Sequence, residues 1–347
     1  MSRQRFAVTI AALALAAAGC STPVAERNPE EGLPALTWPA APEQARIRLV
    51  RTATGPEDFG ISKSMFRRML DAVTGNRPQK FVRPTGVVER NGVLYVADPG
   101  APAVWIIDAV RNEATRVSEV DDVPLQAPVA VAARPDGAVF VADSALRRIF
   151  LLDRGGRMLP FRIGEDLARP AALAYDAASG RLYAADSAGD RIHVYDAQGR
   201  KILSWGGSGS GNGEFNHPTH LALDANGGVL VTDALNFRVQ AFTADGNFLW
   251  KFGHHGDGSG DLAAPKGVAF DGDGHVYIVD ALFGAVQVFE PDGRLLLAFG
   301  EQGTGRGQFW LPGGLCVNAR GEIYVADTYN RRVQVFAAAQ ADSGGPK

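Results

Sequence analysis

The side chains that could do chemistry in this 347-residue chain are few and regularly placed. Four of the six histidines, His217, His220, His254 and His255, fall in two neighbouring stretches. Imidazoles beside carboxylates can hold a divalent cation or move protons near neutral pH. The carboxylates that recur are Asp98, Asp143, Asp186, Asp233, Asp280 and Asp327, each closing an apolar run such as Ile323-Tyr-Val-Ala-Asp327. Five residues after four of them stands an arginine: Arg148, Arg191, Arg238 and Arg332. An aspartate ending a strand can accept turn N–H groups, and an arginine returning on the next strand can pair with it. We therefore expect structural pairs Asp143–Arg148, Asp186–Arg191, Asp233–Arg238 and Asp327–Arg332. Asp98 and Asp280 have Ala103 and Ala285 at the arginine position, which makes them the expected available carboxylates.

These residues belong to a repeat. The six aspartates follow one another at 45, 43, 47, 47 and 47 residues, by subtraction. The prolines Pro84, Pro128, Pro170, Pro218, Pro265 and Pro312 keep nearly the same period. Within each copy, apolar residues alternate with period two between turn residues, which is strand patterning. The fourth copy reads as four strands: His220–Asp224, Val229–Asp233, Arg238–Phe242 and Asn247–Phe252. Four antiparallel strands in about 40–45 residues make one β-propeller blade, and six copies make an all-β, six-bladed ring. The last copy lacks a fourth strand, and a spare strand at Ala45–Arg51 precedes the first. That strand is expected to complete the sixth blade and close the ring.

The ring predicts where ligands bind. Loops opening each blade and loops after the aspartates lie on one face, so the six candidates His217, His220, His254, His255, Asp98 and Asp280 share it. His220 occupies a position filled elsewhere by Gly86, Ala130, Ala172, Gly267 and Gly314. First strands crowd the channel, so a histidine there should reach the channel mouth. No Gly-x-Ser-x-Gly nucleophile elbow sits at a strand-to-helix turn. Three Gly-rich stretches, 206–213, 253–260 and 300–307, lack the strand–loop–helix setting of a phosphate cradle and read as flexible connections between blades. Asp271-Gly-Asp-Gly reads as a hairpin turn and not as a calcium loop. Trp105, Trp205, Trp250 and Trp310 read as packing residues, and Cys316 as a buried structural thiol.

The stretches Ile323–Phe336 and Val229–Phe242 resemble NHL repeats, whose pattern is a strand ending in Asp, Asn three residues on and Arg five on. The Asn occurs only in the fourth and sixth copies, as Asn236 and Asn330. The resemblance spans 81–337 and implies the six-bladed NHL fold. Some NHL-like lyases hold zinc with a ring of histidines. Here the histidines cluster on two blades, so no such set is assigned, and no metal or other cofactor is implied.

Before the ring, Arg3 and Arg5 precede an apolar run from Phe6 to Ala18 and small residues leading to Cys20. This resembles the lipobox of bacterial lipoproteins, which implies cleavage of a signal peptide at 1–19 and lipidation of Cys20. Losing two arginines would take the net charge from −3 to −5. With no basic excess, nucleic-acid binding is disfavoured. Ser21 after the cysteine implies an outer-membrane lipoprotein, expected to face the periplasm. Residues 20–43 read as an extended tether, 44–80 as the closing strand plus a short amphipathic helix, and 338–347 as a disordered tail. The sequence thus favours a monomeric, membrane-anchored envelope scaffold binding a protein, peptide or glycan. The other candidate is a metal-assisted lyase or hydrolase at the channel face.

Overall fold

The computed structural model describes residues 30, 32–62, 79–161, 163 and 167–339. The lipobox, Cys20, and residues 63–78, where the expected short amphipathic helix falls, lie outside them. In the described part the only helical turns are short, at Pro56–Phe59 and Ala234–Asn236. No described helix is long and apolar enough to cross a membrane.

Six sheets form a six-bladed propeller. Blades three, four and five each have four antiparallel strands in sequence order, as does blade one, Gly86–Arg90 through Glu113–Val117. Blade two has three, Pro128–Ala133, Val139–Asp143 and Arg148–Leu152, with a lone bridge from Leu152 to Met158 in the fourth place. Blade six is closed by the N-terminal strand, as the missing last strand of the repeat requires. Ile47–Ala53 runs antiparallel to Arg332–Ala338, pairing Ile47 with Ala338 and Ala53 with Val333.

The stretch expected as a free tether is partly docked. Thr37–Trp38 adds a fifth strand outside Ile47–Ala53. Trp38 packs on Phe299 and Phe336, and Arg306 pairs with Glu30. At the other end, Ala338 is still strand and the Ala339 N–H donates to Arg46 O. Ordering both ends here follows from the ring: the outer edge of the last blade is otherwise an unpaired strand.

The core is divided into six apolar clusters, one in each gap between adjacent blades. The cluster joining blade six to blade one contains Ala53, Trp105, Tyr324 and Val333, so the last gap is as dry as the others. Burial of this kind contributes about 25 cal/mol per Å² of apolar surface. Middle strands are buried on both faces, while outer ones such as Phe248–Phe252 are partly exposed. Around the axis, innermost strands nearly touch. A Cβ on Gly86 would lie 2.7 Å from Val129 O, and one on Gly267 would lie 2.5 Å from Leu315 N. This close approach is why small residues recur there, and it makes His220 exceptional.

A funnel at the channel mouth

All six closing aspartates are buried, with relative exposure of 0–1%. Their oxygens accept backbone N–H groups of the loop that opens the same blade. Asp98 accepts from Val82 (2.7 Å), Arg83 (2.8 Å) and Gly100 (3.2 Å). Asp280 accepts from Ala263 (2.7 Å), Ala264 (3.0 Å), Leu282 (3.0 Å) and Phe283 (3.2 Å). This corrects the expectation that these two are available: without an arginine they are saturated by main chain.

The expected ion pairs divide. Arg238 Nε lies 2.7 Å from Asp233 Oδ2, and Arg332 Nε lies 2.6 Å from Asp327 Oδ2, both pairs buried. Asp143–Arg148 and Asp186–Arg191 do not form, although each couple is directly opposite in register. Arg148 and Arg191 are exposed. Asp143 is held by N–H groups of Gln126, Ala127, Ala145 and Leu146. Asp186 takes those of Ala168, Arg169 and Gly189, with His193 Nε2 at 3.8 Å. Burial pushes the Asp186 carboxyl up, but the nearby His193 imidazole and the hydrogen bonds from these N–H groups outweigh it and hold the pKa at about 2.

The two paired arginines also fix the Gly-rich loops. Arg238 donates to the carbonyls of Ser210, Gly211 and Glu214, Asn236 to that of Gly209, and Gln240 to that of Glu214. Arg332, Asn330 and Gln334 repeat the pattern on Thr304, Gly305, Gln308 and Gly303. These loops are therefore pinned connections, whose carbonyls are consumed by the protein itself.

Inside this ring of aspartates the channel mouth opens into a funnel of about 440 Å³, lined from all six blades. Two repeat positions build it. The residue after each opening proline lines it (Thr85, Val129, Ala171, Thr219, Lys266, Gly313), and so does the residue after four of the aspartates (Ser144, Ser187, Ala281, Thr328). His217 and His220 reach the same cavity, as does Arg169. Burial, and then the Lys266 charge, lower the His220 pKa to about 3, so its imidazole is neutral at pH 7. Burial and the Arg169 and Lys266 charges lower that of His217 as well. Lys266 is itself lowered by burial, against the pull of Asp280. Among the described residues its ammonium has no ion-pair partner.

Three buried polar atoms at this cavity lack partners: Thr219 Oγ1, Thr328 Oγ1 and His220 Nδ1. Above the funnel, the residues two after the aspartates in blades four, five and six are Leu235, Leu282 and Tyr329, with relative exposures of 55%, 58% and 47%. Trp310, expected in the core, is 45% exposed and packs on Tyr329 with ring centroids 5.7 Å apart. An apolar rim thus lies over a cationic floor.

The other sequence candidates lie elsewhere. His254 Nε2 is 2.6 Å from Asp261 Oδ1 in the loop opening blade five, and the His255 ring packs on Phe237. Neither lines the funnel. Cys316 Sγ accepts the Glu89 N–H, and burial pushes its thiol up to about 12, so it stays protonated. Asp271, Asp273 and His275 come close enough to share a cation. Yet Asp271 Oδ1 accepts the N–H groups of Asp273 and His275, and Asp224 makes the same turn in blade four with Asn226 and Gly228. This is the hairpin turn the sequence implies. Lys266, Arg169, Thr219 and Thr328 are the funnel residues that sequence reasoning missed. Aligning the residues after each proline and each aspartate would have revealed Lys266, Thr219 and Thr328, and Arg169 stands just before its proline, Pro170.

The NHL repeat family matches residues 309–336, the span of blade six. No curated protein sequence matches the chain. Solved structures share the fold at low identity. A gluconolactonase from Xanthomonas campestris aligns with TM-score 0.58 and 14% identity, covering 88% of this chain and 98% of that one. Virginiamycin B lyase from Staphylococcus aureus gives 0.55 and 12%, over 74% and 95%. An auxiliary nutrient binding protein from Bacteroides thetaiotaomicron gives 0.57 and 13%, over 74% and 69%. At such identity these likenesses carry the architecture alone.

Proposed function

Starting from a six-bladed propeller with an NHL repeat, we propose a ligand-binding protein of the bacterial envelope, held at the outer membrane by a lipid on Cys20. It faces the periplasm as a monomer and offers its funnel face to a protein, peptide or glycan. The observation that carries this reading is the funnel itself. Every blade contributes to it, and its unpartnered polar atoms and exposed apolar rim lie on one face. Concave sites with a few convergent polar groups in an apolar setting are where proteins bind ligands. An exposed apolar rim on a stable scaffold is the usual mark of recognition. The Bacteroides neighbour, described as a nutrient binding protein, is compatible with this role.

The second reading, a metal-assisted lyase or hydrolase, draws on the lyase and gluconolactonase neighbours. Its donor set is poor. Of the expected ligands only His217 and His220 meet. His254 is engaged by Asp261, and Asp280 is saturated by N–H groups. Among the described residues no carboxylate or thiol lines the funnel, and the Lys266 and Arg169 charges oppose a dication.

The test is to isolate the tagged protein after crosslinking in its own cells. Leu282→Glu with Tyr329→Ala should lose the partner, while Asp273→Lys at the opposite hairpin turn should keep it. Cys20→Ser should move the protein from the membrane to the soluble fraction. Equal recovery with both face variants contradicts the reading.

A further inference from the structure

We propose that the funnel recognises the carboxylate of an organic acid that carries an apolar or aromatic arm. This rests on the binding reading above and names the ligand class. Lys266 from blade five and Arg169 from blade three line the same cavity, and both act electrostatically on His217 between them. Among the described residues no Asp or Glu lines the funnel, and the buried Asp280 that acts on Lys266 from behind the wall is already taken up by main-chain N–H groups. Burying an ammonium is costly unless an opposite charge meets it, and an incoming anion supplies that charge. Burial disfavours the charged form of both histidines, so the positive charge offered here comes from Lys266 and Arg169, and burial also lowers Lys266 until an anion meets it. The two oxygens of one carboxylate can accept from an ammonium and a guanidinium together.

The remaining groups fit the rest of such a ligand. Thr219 Oγ1 and Thr328 Oγ1 are buried without partners, which leaves two hydroxyls unsatisfied at the cavity wall. Hydroxyls that rotate toward an acceptor become satisfied when a ligand arrives. The walls between these groups are apolar: Val129, Ala171, Ala281, Leu311 and Pro312. A phosphate dianion would meet these walls poorly, whereas a carboxylate is the smaller, singly charged group. Tyr329, Trp310 and Leu282 at the rim then cover an apolar arm, and a volume of about 440 Å³ holds a small molecule or a chain end.

The experiment is calorimetric titration of the detergent-solubilised full chain with 4-phenylbutyrate and with N-acetylphenylalanine, each beside its carboxamide, and with inorganic phosphate. The acids should bind at least tenfold more tightly than the amides. Lys266→Met should remove that preference. Arg169→Gln, at an exposed position, should reduce it several-fold, and Lys266→Arg should keep it. N-acetylphenylalanine binding better than 4-phenylbutyrate points to a peptide C-terminus, and the reverse to a free acid. Equal binding of acids and amides, stronger binding of phosphate, or no saturable binding of any acid overturns the inference. If the funnel-face variants still lose the crosslinked partner in those cases, the binding reading stands and only the carboxylate falls.

Discussion

Blades four and six hold their closing aspartates with a buried guanidinium, while blades two and three hold theirs with main-chain N–H groups and leave the arginine in solvent. The backbone does not explain the difference. The residue before each arginine adopts a left-handed conformation in all four: Arg147, Asp190, Phe237 and Arg331, with φ between 51° and 58°. The Asp–Arg couple is directly opposite in register in every case. What differs is the supply of acceptors. A guanidinium has five N–H donors and is buried only where most are met. The Gly-rich loops before blades four and six each turn three carbonyls toward it. Where that loop is missing, the same arginine stays outside. An Asp-x₄-Arg spacing therefore marks a turn, and the preceding loop decides whether it becomes an ion pair.

This contrast can be broken most forcefully at Arg238. Arg238→Met strands a buried carboxylate and three carbonyls, and urea unfolding should show a loss of about 3–5 kcal/mol. Arg332→Met should behave alike. Next comes Asp186, whose folded pKa of about 2 lies below the unfolded value of about 3.9. Its stabilisation is fully present above about pH 4 and is lost as pH falls through 2. Asp186→Asn should cost about 2–3 kcal/mol at neutral pH and flatten the acid dependence of stability between about pH 4 and 2. A smaller effect belongs to Asn330→Ala, which removes donors to Gly303 O and Asp327 and should cost about 1 kcal/mol. Smallest of all, Arg148→Met and Arg191→Met should stay within about 0.5 kcal/mol of the parent. If these two rival Arg238→Met, the acceptor argument fails.

Much of the architecture was legible because it repeats. Two markers, the opening proline and the closing aspartate, keep one period. A last copy without its fourth strand called for the N-terminal one. The docking of Thr37–Trp38 was not legible, since two residues carry no periodicity. Asp98 and Asp280 looked available because the sequence displays side chains and hides the main-chain N–H groups that fill their oxygens. His217 and His220 were found by type and position. Lys266 and Arg169 were not, because they open different blades and come to one cavity only when the blades pack side by side. Trp310 read as core by its type, yet its place in the loop that opens blade six puts it on the rim.

The central claim is that recognition takes place at the funnel face. Site-specific photocrosslinking in producing cells tests it most directly, with a benzophenone side chain placed at Leu282 on the rim or at Asp273 on the opposite hairpin turn. The account predicts a discrete adduct from position 282 and none from 273. Adducts of equal yield from both positions, or an adduct from 273 alone, would contradict it.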